Sequence, residues 1–482
     1  MPPMHATPAW VKPRETHMRK PSMRLTALAL AALLAGCSFM PTYERPAAPV
    51  AAQWPGQAET TPAAQPVADI AWQDFFSDAR LRALVEQALA NNRDLRVAVL
   101  NIEQARAQYR IQRADRLPTI GVGASGSRTP QGNGESLTAY QAGLTLSSWE
   151  LDFFGRVASL SEAALAQYLA TEEGRKAAQI SLVASVANTY LAILADEELL
   201  ALTRQTLATR EDSAKLSQLR FDSGVASELD LRQAQSLLEA ARATLAQLQR
   251  QRAQDQNQLT LLIGQPDWPQ RIAALPATNR LESAVVMREL PAGLPSEVLT
   301  ARPDIRQAEQ QLRSANANIG AARAAFFPRI TLTAGFGTVS SQLSGLFEGG
   351  SWGWTVAPQL LLPIFDGGRN QAGLDVAKVN RDIAVAQYER AIQGAFREVA
   401  DALAGRATLG EELRAQQAQA EAESTRFKLS DLRYRNGVAS YLDLLDAQRS
   451  LFATQQAVVQ TRLAQLQNQV SLYKTLGGGW GG

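Results

Sequence analysis

Residues 432–444 read LRYRNGVASYLDL, and residues 219–231 read LRFDSGVASELDL. Nine of the thirteen positions are identical, and the copies lie 213 residues apart without a gap. An internal repeat of this kind decides the architecture before any other feature. Locally, each copy is a turn between helices. Gly224 and Gly437 suit the left-handed residue that ends a helix. Ser227 and Ser440 suit the next N-cap, and Asp230 and Asp443, three residues on, complete a capping box near the positive helix end.

Outward from the turns the chain reads as unusually long helix. Residues 155–219 contain no proline and are rich in Ala and Leu; at 1.5 Å per residue they span roughly 98 Å. Residues 227–262 give a returning helix of roughly 54 Å by the same rule. The second half repeats the pair at about 368–432 and 440–476. Such lengths point to coiled-coil packing. Leu231, Leu238, Leu245 and Leu259 fall on a heptad broken at Arg252, and Leu444, Leu451, Val458 and Leu472 on one broken at Gln465. A polar break at one level in both either sets register or faces different surroundings.

Four segments alternate with period two: TIGVGASGS (119–127), TAYQAGLTLS (138–147), ITLTAGFGT (330–338) and WGWTVAPQL (352–360). One face of each is apolar, the other small and polar, at the length of a tilted transmembrane strand. The same pattern serves a soluble sheet, but nothing nearby reads as a layer to cover the apolar face. The repeat extends here as well. ADRLPTIGV (114–122) matches AAFFPRITL (324–332), and Asp94-Leu95-Arg96 matches Asp304-Ile305-Arg306, both at offset 210, while Gly155-Arg156 matches Gly368-Arg369 at 213. The unit is helix, two strands, long helix, turn, shorter helix. The domain reading is therefore residues 77–280 as repeat 1, with strands at about 119–128 and 138–151. Residues 281–482 form repeat 2, with strands at about 330–340 and 352–364.

The N-terminus is a separate matter. MRLTALALAALLAGC (23–37) has a basic start, an apolar run too short to span a bilayer and small residues before Cys37, the pattern of a signal peptide over residues 1–36. Residues 1–22 read as an upstream extension, with Met18 or Met23 as the start. Leu34-Ala35-Gly36-Cys37 resembles a bacterial lipobox, which makes Cys37 a lipid-bearing first residue; Ser38 beside it implies sorting to the outer membrane. Residues 37–76, rich in Pro, Ala and Thr from Ser38 to Ala71, read as an extended, lipidated tether.

Five basic residues against Glu15 give residues 1–36 a charge of +4; subtracted from +2, this leaves −2 for the remainder. No basic footprint for nucleic acid exists there. Both histidines, His5 and His17, lie in the segment removed, which excludes His-based triads, Cys–His pairs and His or Cys zinc sites from the mature chain.

Four strands cannot close a barrel, and an open edge in lipid leaves backbone groups unpaired. Several copies must therefore share one barrel; two give eight strands and three give twelve. Small polar faces would line water, and the twin turns would alternate around the far rim.

The chain resembles the TolC-type outer membrane efflux proteins, in the lipoprotein branch typified by OprM. The resemblance is carried by the lipobox, WQDFFSDARLRALVEQALANNRDL (72–95), FGR (154–156), FDGGR (365–369), the twin turns, LDLLDAQRSL (442–451) and LYKTLGGGW (472–480). It implies a mixed α/β membrane protein: a trimer whose twelve-stranded β-barrel, four strands per chain, continues into a long periplasmic α-helical barrel. It implies a passive efflux duct without enzymatic activity or cofactor beyond the lipid on Cys37. The implied partners are a periplasmic adaptor, an inner-membrane resistance–nodulation–division pump and outer-membrane lipid. By the same resemblance Asp443, Asp446 and Asp230 match the acidic periplasmic gate. Gly224, Val225, Ser227, Gly437, Val438 and Ser440 form the adaptor-contacting tip. Rings of carboxylates about an axis repel and attract cations. The chain departs from the archetype at Ala439, where a basic residue would join the closed-state lock; Arg433, Tyr434 and Arg435 stand nearby as substitutes. Type I protein secretion, a non-channel coiled-coil lipoprotein and a carboxylate-only hydrolase are the rival readings.

Overall fold

The alternating segments form strands β1 (Ile120–Pro130), β2 (Ser136–Glu150), β3 (Arg329–Ser340) and β4 (Trp352–Leu361). They make one antiparallel sheet in the order β1-β2-β3-β4. The computed structural model describes residues 38–55, 67–132, 134–273, 275, 281, 290 and 296–480. The leader, Cys37 and residues 56–66 of the tether lie outside the described residues.

Two compact units emerge, each drawing on both halves of the sequence. The strand unit comprises Asp115–Ser159 and Gly320–Asn370, together with residues 38–40. The central β2–β3 pairing joins the halves, Gly143 opposite Gly337 and Glu150 opposite Thr331. The register sorts the alternation into rows. Val122, Leu144, Phe336 and Trp354 stand opposite one another across all four strands, and they are 86, 48, 56 and 75% exposed. None of the described residues covers this apolar face. One residue along, Gly123, Gly143, Gly337 and Gly353 form a second row on the other face. Backbones approach closely there: a Cβ on Gly143 would lie 2.3 Å from the Phe336 carbonyl oxygen, and one on Gly337 would lie 2.2 Å from that of Ala142. Only glycine fits such a contact. β2 is interrupted between Leu146 and Trp149, where Ser148 takes φ 46°, a bulge that bends the strand.

At the foot of the sheet, Glu150 binds Arg156 and Arg329, both at 2.7 Å. Phe39 stacks on Phe327 at 4.4 Å and Phe327 on Phe154 at 5.1 Å. The residues just after Cys37 are thus held against the strand unit. Gly320 makes room for them, since a Cβ there would lie 2.8 Å from the Met40 Cα.

The helical unit holds Pro41–Ala114, Leu160–Ile319 and Gln371–Gly482. Its longer helices are α1 (Ala79–Asn91), α2 (Arg93–Ala114), α3 (Arg156–Asp222), α4 (Glu228–Ile263), α5 (Pro303–Ala324), α6 (Arg369–Arg435) and α7 (Tyr441–Thr475); α3 and α6 begin within the strand unit. Asn92 separates α1 from α2. Its backbone N–H closes α1 on Ala88, its Oδ1 accepts from the Leu95 N–H at 2.9 Å, and its Nδ2 donates to Leu262 O at 2.8 Å. The main core gathers Leu81, Leu84, Leu191, Ile263, Ile305 and Tyr388, each at most 1% exposed. By length and composition α3 could cross a bilayer, but 61% of its most apolar window is buried, so that surface is already used inside the unit.

The N-terminal stretch is extended, as a tether would be, yet pinned. Glu309, 5% exposed, accepts from Tyr43 at 3.2 Å and binds Arg45 at 2.9 Å and Arg313 at 3.1 Å. Trp54, 2% exposed, stacks on Phe396 at 4.5 Å. The C-terminal LYKTLGGGW stretch (472–480) packs too, with Tyr473 stacked 3.9 Å from Phe75 and donating to Ile70 O at 2.5 Å.

Candidate functional site

Two features of the sequence bear on function: the twin turns and the glycine-bearing face of the sheet. At the turns the two copies fold alike. Gly224 and Gly437 take φ +70° and +72°. Each helix closes in the Schellman pattern: Gly224 N–H donates to Phe221 O and Val225 N–H to Arg220 O, both at 2.9 Å, and Gly437 and Val438 do the same to Tyr434 and Arg433 at 3.0 and 2.9 Å. Ser227 and Asp230 form a full capping box, as do Ser440 and Asp443. Each serine hydroxyl donates to the Oδ2 of its aspartate at 2.8 Å. Four orphan donors at a helix start are thereby partly satisfied by groups of the turn itself.

The apolar tip side chains have no cover among the described residues: Val225 and Val438 are 70 and 69% exposed, and Leu229 and Leu442 are exposed beside them. Behind the tips a small second core joins the two helical hairpins. Ala214 and Ala234 from the first meet Tyr441, Leu444 and Leu445 from the second.

Asp446 departs from Asp230 and Asp443. It caps nothing. Its carboxylate is held by Arg426 of α6, and by Arg449 one turn on at 3.0 Å; Arg426 also reaches Glu423 at 3.2 Å. The hydrogen bonds from Arg426 and then Arg449 hold the Asp446 carboxyl below the ordinary aspartate range. Two of the substitutes read from proximity in sequence, Arg435 and Tyr434, have other partners. Arg435 binds Asp431 at 2.9 Å. Tyr434 rests on Tyr441 at 5.3 Å and under the Arg220 guanidinium at 4.9 Å. Arg426 was missed because it lies 20 residues from Asp446 along the chain and meets it only once α6 and α7 pack antiparallel. The turn sequence holds no trace of that register.

The other face of the sheet forms a concavity of about 420 Å³, lined among others by Gly123, Ser125, Gln141, Thr145, Gly337 and Thr355. Gln141 donates to Ser125 at 2.8 Å across β1 and β2. This wall carries no charged side chain and is rich in glycine, serine and threonine. No cluster of three or more metal-ligating side chains occurs among the described residues. Cys37, the expected acyl site, lies outside them.

Comparison with known proteins agrees with this geometry. The family model described as outer membrane efflux protein matches residues 84–265 and again 294–478. The outer membrane protein OprJ of Pseudomonas aeruginosa is 49% identical over 470 residues, covering 96% of this chain and 97% of the relative. The antibiotic efflux pump outer membrane protein ArpC of Pseudomonas putida is 48% identical over 470 residues, covering 95% and 96%. Among solved structures, a membrane protein from Pseudomonas aeruginosa superposes with TM-score 0.85 at 48% identity over 92% of this chain and 98% of that one. The open state of the Neisseria gonorrhoeae MtrE outer membrane channel gives 0.83 at 42%, over 92% and 99%. With a family model matching both halves and relatives aligned over nearly its whole length, the chain belongs to the outer membrane efflux protein family.

Proposed function

We propose that three copies of this chain, four strands from each, close a twelve-stranded barrel that serves as the outer-membrane exit duct of a tripartite efflux system. The chain is an outer-membrane efflux channel; the copy number, the duct's passivity and the identity of its partners are the reading advanced here. One observation carries it. β1 and β4 are both edges of the sheet, and its apolar row is bare, which lipid tolerates only if neighbouring copies pair the edges. The small polar face then lines the passage.

In this reading the tips formed by Gly224, Val225 and Ser227, and by Gly437, Val438 and Ser440, dock a periplasmic adaptor fed by an inner-membrane resistance–nodulation–division pump. Asp443 and Asp446, with Asp230, set the gate at the periplasmic end. The Arg426–Asp446 pair takes the place of the lock that Ala439 cannot make. Cys37 carries a lipid, and the duct performs no chemistry and needs no cofactor. Relatives named for pumping antibiotics and toluene favour small toxic molecules as cargo over secreted protein.

Purified mature protein in planar bilayers is expected to conduct, as a particle of three copies by light scattering in detergent. Absence of conductance, even with Asp443 and Asp446 both replaced by Ala, overturns the duct.

A further inference from the structure

The foot of the sheet holds an aromatic contact between the exit of β2 and the entry of β3, and bare apolar side chains stand at the matching exit of β4 and entry of β1. β2 and β3 are antiparallel neighbours, so the exit of β2 lies beside the entry of β3: Glu150 stands opposite Thr331, and Leu151 N–H donates to Ile330 O at 2.9 Å. Aromatic rings join the two ends. Phe154, just before the Gly155-Arg156 that opens α3, packs 5.1 Å from Phe327, which precedes Pro328 at the entry of β3.

The second set of parts is at the sheet edges. Leu117-Pro118 enters β1 at the position matching Phe327-Pro328 by the 210-residue offset, and Leu117 is 68% exposed. Ile364 and Phe365 follow β4 shortly before the Gly368-Arg369 that opens α6. At 95 and 92% they are the most exposed large apolar side chains among the described residues. The turn that carries them is not loose. Asp366 accepts from the Gly368 and Asn370 N–H groups, both at 2.9 Å, and so fixes the direction in which Phe365 is presented. Two adjacent, fully bare apolar side chains on a braced turn mark a surface built to be covered.

The occupant follows from topology. β4 and β1 are the two edges, so in a ring of copies the exit of β4 meets the entry of β1 of the next copy, as β2 meets β3 within one chain. We infer that Ile364 and Phe365 of one copy pack over Leu117 and Pro118 of the next, a joint between copies that parallels the internal Phe154–Phe327 contact, with Ile364 and Phe365 serving where the direct counterpart of Phe154 at the 213-residue offset is Gly367. The joint is heterologous, with different surfaces on its two sides, as a closed ring requires. It rests on the three-copy reading above and adds the residues that seal it.

Paired cysteines test it in the full chain, whose one native cysteine is Cys37. The double variant Leu117→Cys/Phe365→Cys, treated in detergent with oxidant or a short bis-maleimide, is expected to give covalent dimers and trimers. Linked chains should be several-fold more abundant than with either single variant. Leu117→Cys/Ile364→Cys is the second pair, and Phe154→Cys/Phe327→Cys should link only within a chain. A three-copy particle in which neither pair links overturns the joint and leaves the ring standing. Equal linking by Phe365→Cys alone also overturns it, because that contact would be two-fold. A one-copy particle by light scattering overturns the ring itself, and the joint with it.

Discussion

Asp446 shows how a single carboxylate changes meaning between sequence and structure. Read along the chain it was a bare acid near the tip; folded, it is gripped by Arg426 and Arg449. Its pKa is depressed, so the pair is intact above the ordinary aspartate value of about 3.9 and is lost as pH falls through the lower folded value. Replacing Arg426 by Ala leaves Arg449 alone, and the midpoint of any acid-dependent change in conductance is expected to move upward, toward that ordinary value. Single-channel recordings across the acid range measure it; an unmoved midpoint would mean that Asp446 does not govern the response. The capping residues were different. Ser227, Asp230, Ser440 and Asp443 were legible because a capping box is local, complete within four residues. Arg426 was not, because its partner comes from another helix.

At the scale of the helices, the two breaks in the heptads resolve separately. Arg252 of α4 reaches across to Glu197 of α3 at 2.9 Å. Gln465 of α7 instead lies against Gly410 of α6, its amide nitrogen 3.7 Å from where a Cβ would stand. One level of the coiled coil thus carries an ion pair between helices in one hairpin and an uncharged amide facing a glycine in the other. The heptad count could locate both interruptions but not tell them apart, since each depends on the facing helix. Beside Arg252, the buried Asp196 of α3 meets Asp255 of α4. Burial first, then the hydrogen bond and charge of Asp255, raise the Asp196 carboxyl well above the carboxylate range. A raised folded pKa means that the native state holds the proton more tightly. Its contribution is full below the unfolded value of about 3.9 and is lost as pH rises through the folded one. Asp196→Asn mimics the protonated form. Denaturant unfolding is expected to show wild-type stability declining from acid toward neutral pH, with the variant's profile flatter by about 1 kcal/mol or more. Parallel profiles would remove Asp196 as the cause.

Over the whole molecule, the order of helices, strands and turns was readable because each rests on local periodicity. The pairing of β2 with β3 was not written in either segment, nor was the way each compact unit collects pieces from both halves. The N-terminal stretch shows the same limit. Its Pro- and Ala-rich composition suits an extended chain, yet Arg45, Tyr43 and Trp54 fasten it to partners more than 250 residues away. Glu309→Ala removes the carboxylate on which Tyr43, Arg45 and Arg313 converge. Limited proteolysis is expected to cut residues 41–55 several-fold faster while the remainder resists; unchanged cleavage would place the restraint elsewhere. The row formed by Gly123, Gly143, Gly337 and Gly353 has a consequence at this scale. In the proposed cylinder strand tilt turns it into a stretch of bare backbone winding obliquely along the wall, offering a passing solute nothing to grip.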